Sequence, residues 1–472
     1  MNPMGERADH VVLPAVEGSA YGSLSRRPMS RQERYDVGKA LRHEVPRSSL
    51  GAWTPADDRA DPVDQVIAAH DDRIPWLIPV RIGRMVASPY AFLRGTAAIM
   101  ARDFAGLPAT GITPVICGDG HLGNFGFYAS PERDLVFDLN DFDEAHPGSW
   151  EWDLRRLVTS VWVAGRQNGC SDDDAEDAVR SCVAAYRGEI RELAQQPLLS
   201  RAFERLDLDR LWDTSSDEGF RREVERSSRR ARTRTSDRAL PRFTEQRDGR
   251  RRIVEQPPLI TRVESPSHLL EGLDRYLETL TPQWRRVLAG YTVVDVAHKV
   301  VGVGSVGLRA YVALCEGSSP DDVVFLQLKQ ARRSVVAPFV HGENALHEHQ
   351  GQRVVEYQQA LQTVSDPLLG WTTMEGRQYY VRQFRDMKGA IAVDGIDANA
   401  LSDYAGICGY LLAKGHARTS GASMIAAYVG SGEKLDEALA RFARAYADQT
   451  ERDHAALVAA VTAGRLPAER GV

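Results

Sequence analysis

Seven residues, Asp138-Leu139-Asn140-Asp141-Phe142-Asp143-Glu144, hold four carboxylates and an amide. So dense an acidic run at the end of a strand restricts the fold, because the carboxylates repel one another unless cations meet them. Hard oxygen ligands of this kind suit Mg²⁺. Period-two alternation puts Asp141 and Asp143 on one side of an extended chain and Phe142 on the other. A plain acidic turn is the alternative, and the preceding residues argue against it. Two short β-like runs, Thr113–Cys117 and Leu135–Leu139, enclose the loop Gly118-Asp119-Gly120-His121-Leu122-Gly123-Asn124. Three glycines allow backbone angles that a side chain would forbid, so Asp119 and Asn124 can converge on one small region. Phosphoryl transfer needs a carboxylate to orient the attacking hydroxyl and an oxygen ligand for Mg²⁺. Asp119 suits the first role; Asn124 and Asp141 suit the second, with Asp143 as a further metal ligand. Read alone, the loop is equally a tight turn around a buried histidine.

A chain of 472 residues exceeds one compact core, so two or three folding units are expected. Residues 1–60 read as a mobile arm with a short helix around Arg31–Glu44. The patterns predict a helix over Tyr90–Phe104, helical structure over Trp150–Leu193 and Ser267–Ala289, and a β-rich module over 291–386. That module contains β-like runs at Tyr291–Val301, Gly307–Cys315, Val323–Leu328, Leu368–Thr373 and Gln378–Phe384, with one helix over 344–363. Residues 61–290 and 387–472 form the two parts of a helical lobe. The Arg-rich stretch 221–252 reads as a solvated surface, or as a cationic face for a phosphorylated or acidic substrate.

The β-rich module carries Gly302-Val-Gly304-Ser305-Val-Gly307 between two strands. A dinucleotide-binding fold would follow such a loop with a helix; strand, glycine loop, strand is the layout of a flap over ATP phosphates. Lys329 stands in the apolar strand Phe325-Leu-Gln-Leu-Lys329 and needs a partner there. Glu356 on the following helix is the expected partner in a pair that grips the phosphates, with Glu348 and Glu343 as alternatives. A purely structural salt bridge is the competing reading.

Several classes are disfavoured. A net charge of -6 and a pI near 6.1 provide no global basic field for nucleic acid. Five scattered cysteines form no C-x-x-C pair, which fits a reducing cytoplasm. The N-terminal residues lack a signal-peptide pattern, and no apolar run is long enough for a membrane span.

Ser88-Pro-Tyr-Ala-Phe-Leu-Arg-Gly95, the Gly118–Gly126 loop, Val136–Glu144 and Tyr379-Tyr-Val-Arg-Gln-Phe-Arg-Asp-Met-Lys-Gly389 resemble the bacterial domain-of-unknown-function family 2252. The likeness runs from about residue 60 to 460. The loop and acidic run separately resemble aminoglycoside and choline phosphotransferases of the kinase-like superfamily. That resemblance maps their motif positions onto Asp119, Asn124, Asp141 and Asp153. It implies a two-lobe kinase-like α+β fold using ATP and Mg²⁺, with a small-molecule or protein acceptor. Here the glycine loop and Lys329 follow the catalytic loop rather than precede it, and helix Leu401–Arg418 looks like the one that usually leads into that loop. A circular permutation accounts for this order. A nucleotide-binding scaffold without turnover is the alternative. A metal-dependent phosphoesterase would need further ligands, for which His146 and His298 lack a local motif.

Overall fold

The computed structural model describes residues 29–207, 210–212, 217–247, 249–300, 302, 304–340, 342 and 347–471. The architecture is α+β, with a helical body facing an antiparallel sheet. The helices Trp150–Gln167, Asp172–Gln195, Ala398–Thr419 and Lys434–Thr462 share one apolar core. Helical structure is expected over Trp150–Leu193, and the chain breaks it into two helices at the polar run 166–174. Gly169 takes a φ of +81°, and Ser171 then opens the second helix through a reciprocal capping box with Asp174. Helices Asp172–Gln195 and Ala398–Thr419 approach closely because Gly409 lies against the Cys182 carbonyl, where any side chain would clash. The helix expected over Tyr90–Phe104 is also split, into Pro89–Gly95 and Ala97–Ala105. At the joint the Thr96 hydroxyl donates back to the Phe92 and Leu93 carbonyls.

Two short ribbons are set into the helical body. β1 (Val115–Ile116) pairs with β4 (His146–Pro147), and β2 (Phe125–Ala129) pairs with β3 (Leu135–Leu139). β2 was not anticipated: all five of its residues are buried, so no in–out alternation marks it. Lys414 forms a fully buried ion pair with Asp138, fixing helix Ala398–Thr419 to the strand that ends in the acidic run.

The Arg-rich stretch gives helices Glu218–Arg232 and Ser236–Phe243 and the hairpin β5 (Thr244–Arg247) and β6 (Arg250–Ile253). Arg229, Arg230, Arg232 and Arg234 are exposed. The sheet contains β7 (Ile260–Arg262), β8 (Thr292–Lys299), β9 (Ala310–Glu316), β10 (Val323–Gln330), β11 (Gly370–Met374) and β12 (Arg377–Gln383), in the order β11-β12-β10-β9-β8-β7. It therefore starts before the expected boundary at 291, since a three-residue strand such as β7 is too short to leave a periodic signal. Helix Ser267–Thr279 covers one face, packing Leu269, Leu273 and Tyr276 with Leu326, Leu328 and Val381. Val323 and Phe325 lie on the opposite face, in a cluster with Ala239 and Leu240. By the same alternation Gln327 and Lys329 share that second face, which turns towards the helical body.

The expectation of an arm over 1–60 is corrected for its described part; residues 1–28 lie outside the described residues. Helix Arg31–Glu44 forms as expected, closed by a Ser30–Glu33 capping box. It is docked rather than mobile, because Gly38 sits against the Met424 carbonyl and Leu41 and Leu50 enter the main core.

Helix Asp172–Gln195 also carries a titratable weak point. Burial, with Glu192 and Glu204 nearby, pushes the Glu189 carboxyl up to about 8. A raised carboxyl favours folding while protonated, so this contribution is fully present below its ordinary value and is lost as pH rises through about 8. Glu189→Gln should therefore melt above the wild type at pH 9, by about 2 °C or more, and converge with it near pH 4. Parallel melting curves at both pH values would reject the assignment.

Candidate functional site

The Gly118–Asn124 loop is held by its own backbone and by one buried carboxylate. Gly118 needs its positive φ of +75° and packs on the Glu144 carbonyl. Asp153 accepts from the Cys117 amide at 2.6 Å and the Gly118 amide at 2.8 Å, while His416 lies 3.3 Å away. The loop's first turn is thus anchored to helix Trp150–Gln167. Asn124 donates its side-chain amide to the Asp119 carbonyl at 2.7 Å, which leaves its Oδ1 for another partner. His121 is buried and accepts from the Gly123 amide at 3.0 Å. Burial, with Arg94 and Arg156 nearby, drives its pKa well below the ordinary value, so it is neutral.

Asp119 is held on one side only. Arg156 donates from Nε to Oδ1 at 2.7 Å, whereas Oδ2 has the His121 Nε2 at 3.9 Å. Burial pushes this carboxyl up to about 6; Arg156 opposes that shift and Asp141 adds to it. One oxygen is therefore fixed and the other faces a cavity, the arrangement expected of an oriented base.

Lys329 meets the acidic run rather than the helix. Its Nζ lies 2.9 Å from Asp143 Oδ2 and 3.9 Å from Asp141 Oδ1. Tyr380, its direct cross-strand neighbour, donates to Asp143 Oδ1 at 2.7 Å, and Ser305 donates to Oδ2 at 3.3 Å. Burial raises the Asp143 carboxyl, but Lys329 and the Tyr380 hydroxyl outweigh it and hold the group below its ordinary value. The expected Lys329–Glu356 pair is corrected. Glu356 instead bonds to His347 Nε2 at 2.8 Å and Gln352 at 2.7 Å. Glu348 is exposed, and Glu343 lies outside the described residues. Helix Gln350–Leu361 contributes Arg353 instead, which donates to the carbonyls of Asp143 at 2.8 Å, Arg332 at 2.9 Å and Ala145. A buried guanidinium with several carbonyl partners fixes the backbone of the acidic run from behind.

The glycine loop packs against the segment before the Gly118–Asn124 loop. Gly302, at φ +71°, accepts from Arg84; Gly307, at φ +91°, accepts from the Ile74 amide at 2.8 Å. Its described residues border two cavities. The first, of about 520 Å³, is lined by Asp119, His121, Asn124, Asp141, Asp143, Gly302, Gly304 and Ser305, among others. The second, of about 440 Å³, shares Asp141, Gly302 and Ser305 and adds Lys299, Lys329, Arg382, Phe384 and Lys388. Among the described residues of the Arg-rich stretch, Arg234 reaches the second cavity.

The structure thus gathers Asp119, Asn124, Asp141, Asp143, Gly302, Gly304, Ser305 and Lys329 and leaves Glu356 aside. Gly307 packs on the Arg73 side chain and lines neither cavity itself. Sequence reasoning assigned no role to Arg156, Arg353 or Tyr380. Only Tyr380 left a signal, since its alternation with Arg382 puts both on one face of β12.

Among the described residues no group of three or more His, Cys, Asp or Glu forms a ready-made metal cage. The Asp141 carboxylate, 38 % exposed, and the free Asn124 oxygen instead suit a cation that completes its shell with water and phosphate oxygens. Asp143 fits less well while Lys329, Tyr380 and Ser305 occupy it. His146 packs on Tyr357, and His298 packs against Trp76 and Tyr311; neither lines the two cavities.

No helix among the described residues is long and apolar enough to cross a membrane. The sequence profile of a protein family matches residues 73–460, and that family is described as an uncharacterized protein conserved in bacteria. No curated protein and no solved structure matches the chain.

Proposed function

The chain belongs to the bacterial family DUF2252, and we propose that it is an ATP- and Mg²⁺-dependent phosphotransferase of kinase-like, circularly permuted design. The observation that carries the reading is the junction of the two cavities at Asp141, Gly302 and Ser305. One cavity holds the oriented carboxylate Asp119. The other is rich in cations, with Lys299, Lys329, Arg382 and Lys388 suited to the negative charge of a nucleoside triphosphate. Segments separated by 186 residues, Asp143 and Lys329, are in direct contact there. A γ-phosphoryl group at the junction would have the nucleotide on one side and the acceptor on the other.

In this reading the acceptor oxygen or nitrogen forms a bond to the γ-phosphorus as the bond from phosphorus to the bridging oxygen breaks. ADP departs, and the acceptor proton passes to Asp119. Asp141 and Asn124 would hold Mg²⁺, which neutralises phosphate charge when bound. Lys329 would grip phosphate oxygens in addition to Asp143. The sheet and its glycine loop correspond to the nucleotide lobe, and the helical body to the catalytic lobe.

Calorimetric titration with MgATP tests the reading. Wild type should bind saturably and consume ATP only with the metal present. Lys329→Ala should weaken nucleotide affinity about tenfold or more, the loss expected for a charge-assisted contact. It should also melt lower, since Asp143 would keep only its neutral donors Tyr380 and Ser305. Unchanged affinity together with normal turnover in the variant would make Lys329 a structural residue. Binding without any metal-dependent turnover in wild type would favour a nucleotide-binding scaffold.

A further inference from the structure

The first cavity continues beyond Asp119 into a cluster of arginines that the transfer reaction does not use. Arg73, Arg81, Arg94 and Arg332 all line it. Arg81 is only 2 % exposed; one of its nitrogens donates to the Gly95 carbonyl at 2.9 Å, while Nε and the other terminal nitrogen have no hydrogen-bond partner. Arg94 Nε is likewise buried without a partner, beside Gly123 of the catalytic loop. Burial, with Arg81 and Arg332 alongside, pushes Arg73 down to about 8, and burial and Arg332 push Arg81 down to about 10. A guanidinium keeps its proton in a protein, so these groups stay charged and repel one another. Glu144, the carboxylate that opposes Arg73, accepts from the Val335 amide.

A second feature points into the same space. Helix Ala97–Ala105 presents its first residues, Ala97 and Ala98, to the cavity. Its N-terminus has no side-chain cap, because the Thr96 hydroxyl is turned back to Phe92 and Leu93. Free amides and the positive end of the helix dipole favour an anion. The Ser88–Gly95 motif thereby acquires a role, since Arg94 and the Gly95 carbonyl are both wall residues of this space.

We propose that this cluster binds a phosphate group already carried by the acceptor, so that the substrate is a phosphorylated small molecule with a free hydroxyl or amine. The inference rests on the phosphotransferase reading for the identity of the acceptor, but the anion site stands on its own geometry. Several guanidiniums and a helix terminus supply more donors than one carboxylate can accept from, and a tetrahedral phosphate matches them better. The acceptor's phosphate would sit among the arginines while its reacting group faces Asp119 Oδ2.

The test is a titration of the full chain with inorganic phosphate, without ATP or Mg²⁺. Wild type should bind it saturably, and acetate at equal ionic strength should bind much more weakly. Arg332→Gln, at a half-buried position, should weaken phosphate binding about tenfold or more, and Arg81→Met should do the same if it folds. Arg180→Gln, on the surface of helix Asp172–Gln195 and in neither cavity, should leave phosphate affinity unchanged. Equal affinity for acetate would replace the phosphate with a carboxylate and overturn the proposal. So would an equal loss in Arg180→Gln, or unaltered binding in Arg332→Gln. Failure of the nucleotide reading would not alter this titration, and failure of the titration would leave MgATP binding intact.

Discussion

Asp141→Asn should lower metal-dependent ATP consumption by about 10²–10³-fold or more, the scale seen when a transition-state charge partner is removed, while the fold remains intact. Asp141 is 38 % exposed, lies two residues beyond the end of β3 at the junction of both cavities and fills no apolar space. Its Oδ1 accepts from the Asp143 amide at 3.3 Å, a bond that the asparagine oxygen can keep. Lys329 retains its closer partner, Asp143, at 2.9 Å, so no buried cation is orphaned. What the substitution removes is a hard anionic ligand, which Mg²⁺ requires more strongly than a neutral amide. Melting temperature and circular dichroism should therefore match wild type. Near-normal turnover at saturating Mg²⁺ would count decisively against Asp141 as a metal ligand.

Asp119→Asn should separate binding from turnover. Asp119 lines the first cavity and not the second, to which the nucleotide is assigned, so MgATP affinity should stay close to wild type. Turnover should fall about a hundredfold or more, the contribution of a general base. A loose transition state removes the acceptor proton late, so the main loss is orientation of the nucleophile. The substitution also affects Arg156, which is 2 % exposed and would lose its anionic partner. Arg156 keeps its bond to the Leu93 carbonyl at 2.7 Å, so the variant should fold but melt lower than wild type. Assays must run well below that lowered melting temperature, with affinity measured on the same preparation. Equal and small effects of Asp119→Asn and Lys329→Ala on ATP consumption would sink the enzymatic assignment.

Much of the candidate site was legible in the chain because it is local. A loop of seven residues, Gly118–Asn124, dictates its own turn, and an acidic run at a strand end must face solvent or cations. A lysine in the apolar strand Phe325–Lys329 needs a partner wherever the strand packs. A Ser and a Glu at capping positions defined the start of helix Arg31–Glu44. The helix breaks at Thr96 and Gly169 are local as well: the Thr96 hydroxyl turns back on the preceding carbonyls, and Gly169 takes a positive φ before the Ser171–Asp174 capping box.

Partners across the fold depended on how the elements dock. Helical spacing can show that Glu356 shares a helix with Arg353, but not which of them faces the acidic run. Packing turned Arg353 inward, to the Asp143 carbonyl, and left Glu356 to His347. Lys329 could have met any carboxylate brought to its face of the sheet, and the register of β10 against β12 selected Asp143 by placing Tyr380 beside it. The arginine cluster is the clearest case. Arg73, Arg81, Arg94 and Arg332 come from four separate segments; Arg94 stands in the Ser88–Gly95 motif, and the other three carry no motif that distinguishes them from surface arginines. Sequence determined what each element is and which side chains share its face. The tertiary structure decided which faces meet, because burial and charge compensation act through space between groups that the chain keeps far apart.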